Sequence, residues 1–117
     1  MLDVKDSIDK LSWSVNHHFL HIQAQHDFIR AVAVQFELAY TDFRAIQMAL
    51  QLAGEEYHSL LADFAKAYED VYAYESVFAM RGLDEFNSEF PNSIDDYKQK
   101  VDHFNEVLDK IKDLQKN

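Results

Sequence analysis

HHFLHIQAQH, residues 17–26, sets four histidines and two glutamines between apolar runs, and whether a helix passes through it decides the fold. Counting alternately by four and three from Val4 runs Ile8, Leu11, Val15, His18, Ile22, Gln25, Ile29, Val32, Phe36, Ala39, Phe43, Ile46 and Leu50. The count continues through Ala53, Tyr57, Leu60, Phe64, Ala67, Val71 and Tyr74 to Phe78. Every slot but His18 and Gln25 is apolar, which is the 3.5-residue repeat of helices packed along a seam. Two polar slots one heptad apart are the pattern of a buried pair that fixes register or oligomer state. The expected oligomer core is therefore His18, Ile22, Gln25, Ile29, Phe36 and Phe43.

A second stripe, Leu20, Ala24, Ala31, Val34, Leu38, Ala45, Met48 and Leu52, lies across the same stretch. Between the stripes runs a strip at seven-residue spacing, Gln23, Arg30, Glu37, Arg44 and Gln51, which reads as the line meeting water. Two glycines and one proline in 117 residues leave too little turn material for a β-rich fold. The reading is all-α: an elongated helical bundle with coiled-coil-like heptad packing in one domain, 1–117. It has three main helices, 15–53, 55–81 and 93–116, with a short extra N-terminal helix over 3–13 and a loop over 82–92.

The early boundary rests on the weak helix formers from Ser12 to His18, with Ser14 and Asn16 as N-caps. At Gly54 a turn is favoured over a kinked continuation. Ser93 caps the last helix, with Asp95 and Asp96 in its first turn and Lys110, Lys112 and Lys116 near its end, as the helix dipole favours. A helix over 15–53 would be roughly 58 Å long against about 35 Å for a compact globule of this size. The remaining helices cover one of its sides, and the other calls for a second copy, so a homodimer is expected.

The net charge of −10 is concentrated. Residues 54–92 carry nine acids, Glu55, Glu56, Asp63, Glu69, Asp70, Glu75, Asp84, Glu85 and Glu89, against Lys66 and Arg81. Direct nucleic-acid binding needs clustered Lys and Arg and is disfavoured. A basic protein partner fits better. Aromatic residues beside charge mark interface hot spots. The candidate partner surface is therefore Glu55, Glu56, Glu69, Asp70, Tyr72, Glu75, Asp84, Glu85, Phe86 and Glu89.

Chemistry is sparse. There is no cysteine, no glycine-rich phosphate loop and no serine in a nucleophile context, so no catalytic residue and no enzyme are expected. His17 and His21 share a helical face, and Glu55 with His58 forms one E-x-x-H. A di-iron bundle needs two such motifs and two further glutamates, whereas His103 and Glu106 run in reverse order, so no metal and no cofactor are expected. Charging a partly desolvated His18 is expected to weaken the assembly in mild acid. No apolar run reaches the roughly 20 residues of a membrane crossing, and the N-terminus is not a secretory signal. A reducing cytoplasm is compatible. Type VII secretion hairpins are similar in length, acidity and helix content, but their W-x-G turn is absent here, Trp13 being followed by Ser14 and Val15, so no family is assigned. The function expected is a non-enzymatic interaction module, as adaptor, chaperone or assembly subunit. The alternative is an acidic inhibitor that imitates nucleic acid.

Overall fold

The chain turns back on itself at Gln25. In the computed structural model, which describes residues 3–26 and 29–115 and the side chains of all but 29–32 among them, α1 spans Lys5–Gln23 and α2 spans Ile29–Ala53. A single 3₁₀ turn, Glu55–Tyr57, leads into α3, His58–Arg81; α4, Leu83–Glu89, and α5, Ile94–Gln115, follow. The described residues contain no strand.

The single helix expected over 15–53 does not form. Gln25 stands at φ 62, and α1 closes there with paired backbone bonds: the Gln25 N–H donates to the Ile22 carbonyl at 3.0 Å and the His26 N–H to the His21 carbonyl at 2.9 Å. This is a Schellman close with glutamine in the left-handed position usually held by glycine. Gln25 Nε2 also donates to the Ile22 carbonyl at 3.1 Å, and Oε1 accepts from Asn87 Nδ2 of α4 at 2.7 Å. Gln25 is thus an exposed turn residue and not a core slot.

The break expected near residue 14 is absent as well. Low intrinsic propensity there is offset by side-chain contacts within α1 and by one to α5. Asn16 Nδ2 donates to the Ser12 carbonyl at 2.7 Å, Asn16 and Asn105 of α5 exchange amide hydrogen bonds at 2.9 Å, and the Trp13 ring stacks on His17 four residues on. At Gly54, φ 126, the helix ends in the turn favoured over a kinked continuation. The 82–92 loop holds α4, which starts after Gly82 at φ 91 because burying Phe86 among Tyr74, Phe78 and Tyr97 rewards a further helical turn.

Four long helices therefore form a closed ring, α1 against α2, α2 against α3, α3 against α5 and α5 against α1. The molecule measures 43 × 24 × 18 Å, shorter than the rod a continuous 15–53 helix would make. The Val4 N–H donating to Gln115 Oε1 at 2.8 Å and Lys112 paired with Asp9 at 3.3 Å hold α1 and α5 antiparallel. The inner heptad stripe lines this ring: Ile8, Leu11, Val15, His18, Ile22, Phe36, Ala39, Phe43, Ile46, Leu50, Phe64, Ala67, Val71, Tyr74 and Phe78 are all buried. Among the residues expected to form an oligomer core, His18, Ile22, Phe36 and Phe43 are instead core of the single chain, and the side chain of Ile29 lies outside the described residues.

A left-handed Gln25 has a direct consequence. Gln25→Gly removes the steric cost of that conformation and should leave the melting temperature unchanged or higher, whereas Gln25→Val should destabilise by ~1–2 kcal/mol. Thermal unfolding followed by circular dichroism distinguishes the two, and equal effects would contradict the turn.

Candidate functional site

The outer face of α2 is the largest departure from an ordinary helix surface. Of the eight large apolar side chains exposed among the described residues, five sit on it: Val34, Leu38, Tyr40, Met48 and Leu52, with Leu38 61% and Leu52 72% exposed. Val34, Leu38, Thr41, Ala45, Met48 and Leu52 recur at spacings of four and three, so one line along the helix carries all six. The line takes Val34, Leu38, Ala45, Met48 and Leu52 from the second stripe of the sequence and adds Thr41; all but the half-buried Ala45 are exposed, whereas Leu20 and Ala24 of that stripe belong to α1 and its close, and the side chain of Ala31 lies outside the described residues. Burial of both stripes, as expected of a central helix, is confined to the inner one. The strip Glu37, Arg44 and Gln51 flanks the line and is exposed.

A groove lies on either side. Between α2 and α3, Ala33, Phe36, Glu37, Tyr40, Tyr72, Ala79 and Met80 line about 450 Å³. Its aromatic floor extends along α3, where Phe43 stacks on Tyr68 with ring centroids 4.2 Å apart. Between α1 and α2, Asp9, Lys10, Trp13, Ser14, Gln35, Leu38 and Asp42 line about 360 Å³. Two grooves flanking an apolar ridge have the shape that receives an amphipathic helix.

The candidate partner surface read from the sequence is only partly one surface. Glu55, Glu56, Glu69, Asp84, Glu85 and Glu89 are exposed, Asp70 and Tyr72 are half-buried, and Phe86 is core. Lys66 pairs with Asp70, and Arg81 lies 3.8 Å from Glu85 and 3.6 Å from Glu89, so part of the acidic charge is neutralised within the chain. Glu75 corrects the reading most sharply. It is 1% exposed, and its Oε1 lies 3.0 Å from Nδ1 of His18, itself fully buried. His18 Nε2 meets Gln35 Oε1 at 2.9 Å. Heptad counting placed His18 in the core but gave no sign of its partner, because Glu75 sits one position beyond the Tyr74 slot and reads as a solvated acid.

The geometry lets this pair share one proton. With Nε2–H donating to Gln35, the short Nδ1–Oε1 contact needs a hydrogen, carried by an imidazolium or by a neutral carboxylic acid. Burial works to discharge His18, but the hydrogen bond and charge of Glu75, with the Gln35 contact, hold its proton affinity above the ordinary 6.5. Burial raises Glu75, and His18 offsets part of that rise. Glu75 Oε2 and the hydroxyls of Tyr68 and Tyr97 are buried without a protein hydrogen-bond partner, so the carboxylate sits in a poorly solvated polar pocket. Burial followed by the Glu75 charge pushes both tyrosines up.

Of the remaining histidines of the opening stretch, His17 and His21 are half-buried and His26 is exposed. His17 stacks on Trp13 and meets His21 edge to face, and burial, then His21 and His18, lowers its proton affinity. His21 and His26 approach Nδ1 to Nδ1 at 3.0 Å. Among the described residues no group of three or more His, Cys, Asp or Glu could hold a metal ion, and no helix is long and apolar enough to cross a membrane. Compared with known proteins, the chain matches no family model, no curated sequence and no solved structure.

The His18–Glu75 pair reverses the pH dependence expected from sequence. Because His18 binds its proton more tightly folded than unfolded, its contribution is fully present below about 6.5 and is lost as pH rises through its folded value, while that of Glu75, also raised, is fully present only below 4.5 and is lost as pH rises through its own. The melting temperature should therefore fall between pH 6.5 and 9, and Glu75→Gln should flatten that fall. Glu75→Ala, which leaves Nδ1 of His18 without a partner in the core, should cost ~1–3 kcal/mol near neutrality. Stability that rises over the same pH range would contradict the shared proton.

Proposed function

We propose that this chain is a non-enzymatic helical interaction module whose docking face is the outer stripe of α2 with its two flanking grooves. The observation that carries the reading is the exposure of Val34, Leu38, Met48 and Leu52 in one line on a helix whose opposite face, from Phe36 to Leu50, is packed in the core. Burying one such side chain on association contributes about 1.5–3 kcal/mol, and a row of them drives binding where a single exposed leucine would not. Adaptor, chaperone and assembly subunit are the roles such a face serves. The reading as an acidic imitation of nucleic acid ranks second, since Glu75 contributes nothing to the surface and Lys66 and Arg81 neutralise some of what remains.

A photo-crosslinking amino acid placed at Leu38 or Leu52 tests the face in cells that make the protein. Both positions should give discrete crosslinks to a polypeptide, whereas Ser59 and Asp109, exposed away from the stripe, should give none. Equal labelling at all four positions would contradict a docking face on α2. In the same assay the imitation reading expects crosslinks around Glu55 and Glu85 that vanish between 50 and 300 mM salt, because exposed charge pairs are screened.

A further inference from the structure

We propose that the groove between α2 and α3 is a receptor for an organic ammonium cation with an apolar body, whose charge sits against Tyr40 and Tyr72, between Glu37 and Glu69. Two adjoining hollows make the site. The first, of about 450 Å³, holds Glu37 and is opened by Ala33 and Ala79. The second, of about 340 Å³, holds Glu69 and is opened by Ala65. Alanine at these three positions leaves space that a larger side chain at each would fill. Tyr40 and Tyr72 line both hollows, so the two rings stand where the hollows meet, with one carboxylate on either side. Each volume falls within the roughly 300–1,000 Å³ of small-ligand pockets.

The lining selects the charge of the ligand. Phe36, Tyr72, Tyr68, Phe43 and Tyr40 form an unbroken run of rings, with successive centroids 5.0, 6.1, 4.2 and 5.9 Å apart. Tyr40 is 46% exposed and Tyr72 half-buried, so both are reached from solvent, while Phe36, Phe43 and Tyr68 behind them are core. Aromatic faces attract a cation, more strongly once water is displaced. Glu37 and Glu69 are exposed, and neither forms an ion pair among the described residues, Lys66 being held by Asp70. No Lys or Arg is among the residues lining either hollow. A neutral apolar ligand would cover these carboxylates without compensating them, and an anion would meet them and the net charge of −10. A cation with apolar substituents suits the rings, the alanine walls and the acids together. The α1–α2 groove is a contrast, with one ring, Trp13, and with Lys10 already beside Asp9 and Asp42. This site goes beyond α2 as a docking face, because it depends on the lining of one groove and not on the outer stripe.

Titration of ring-labelled tyrosine, read by NMR, tests the site with phenyltrimethylammonium as the probe and the uncharged, similarly shaped cumyl alcohol as its comparison. Phenyltrimethylammonium should shift the Tyr40 and Tyr72 ring signals saturably, with a midpoint of about 1 mM or below, and cumyl alcohol should bind at least about tenfold more weakly. Tyr40→Leu and Glu37→Gln, both at exposed positions and checked for folding by circular dichroism, should each weaken the cation about threefold or more. Glu37→Gln should leave cumyl alcohol unaffected, which separates a lost charge from a distorted groove. Equal affinity for the two probes would overturn the cation site, as would binding that neither substitution weakens. So would the absence of any saturable shift at Tyr40 and Tyr72 up to about 10 mM. Crosslinking from Leu38 and Leu52 reads the docking face separately, so either proposal can fail with the other intact.

Discussion

The inner stripe of α1 and α2 can leave water only if the chain reverses between the two helices, and the reversal runs through a backbone conformation that costs an L-residue about 1–2 kcal/mol. Gln25 accepts that cost because its turn is bonded three ways, by the paired N–H groups of the helix close, by its own amide on the Ile22 carbonyl and by Asn87 of α4. The turn folds α1 onto α2, and α3 and α5 complete a ring around one apolar interior. Each long helix then turns one face inward. On α2 this leaves a second greasy face outside, so the same reversal that satisfies one stripe strands the other.

Within that interior the polar groups are few and specific. His18 and Glu75 join α1 to α3, and Gln35 ties the imidazole to α2, so three of the four ring helices share one hydrogen-bonded unit. A sliding or rotated helix would leave a buried charge unpaired, at several kcal/mol. Such a unit contributes less to stability than well-packed leucines would, and more to choosing one register among the similar ones a heptad pattern allows. Asn16 with Asn105 does the same between α1 and α5 at a half-buried level.

How far the sequence revealed this follows from the range of each signal. Helix class, the inner stripe and the stop at Gly54 are local or periodic features, and most of the described heptad-slot residues from Ile8 to Phe78 line the interior, with Ala53, Tyr57 and Leu60 half-buried where α2 passes into α3 and Gln25 exposed. The turn at Gln25 was hidden because a glutamine in the left-handed region carries no sequence mark and the count passes through it in phase. Glu75 was misplaced for a related reason: a carboxylate in an acidic segment looks solvated, and only the fold brings His18, 57 positions away, against it. The outer stripe was legible as apolar spacing, yet its exposure depended on where the chain turned. Phe86 was assigned to a surface loop because α4 is too short for periodicity to register.

The most direct test of the account is a distance across the turn. Spin labels at Lys10→Cys and Asp42→Cys, in chains diluted with unlabelled protein so that only intramolecular pairs contribute, report whether α1 lies along α2. The two positions share one groove, so a distribution centred at about 20 Å is expected, from helix axes 8–10 Å apart plus the label arms. A distribution near 48 Å, the length of about 32 residues of uninterrupted helix, would contradict the reversal at Gln25 and the stranded face of α2 with it.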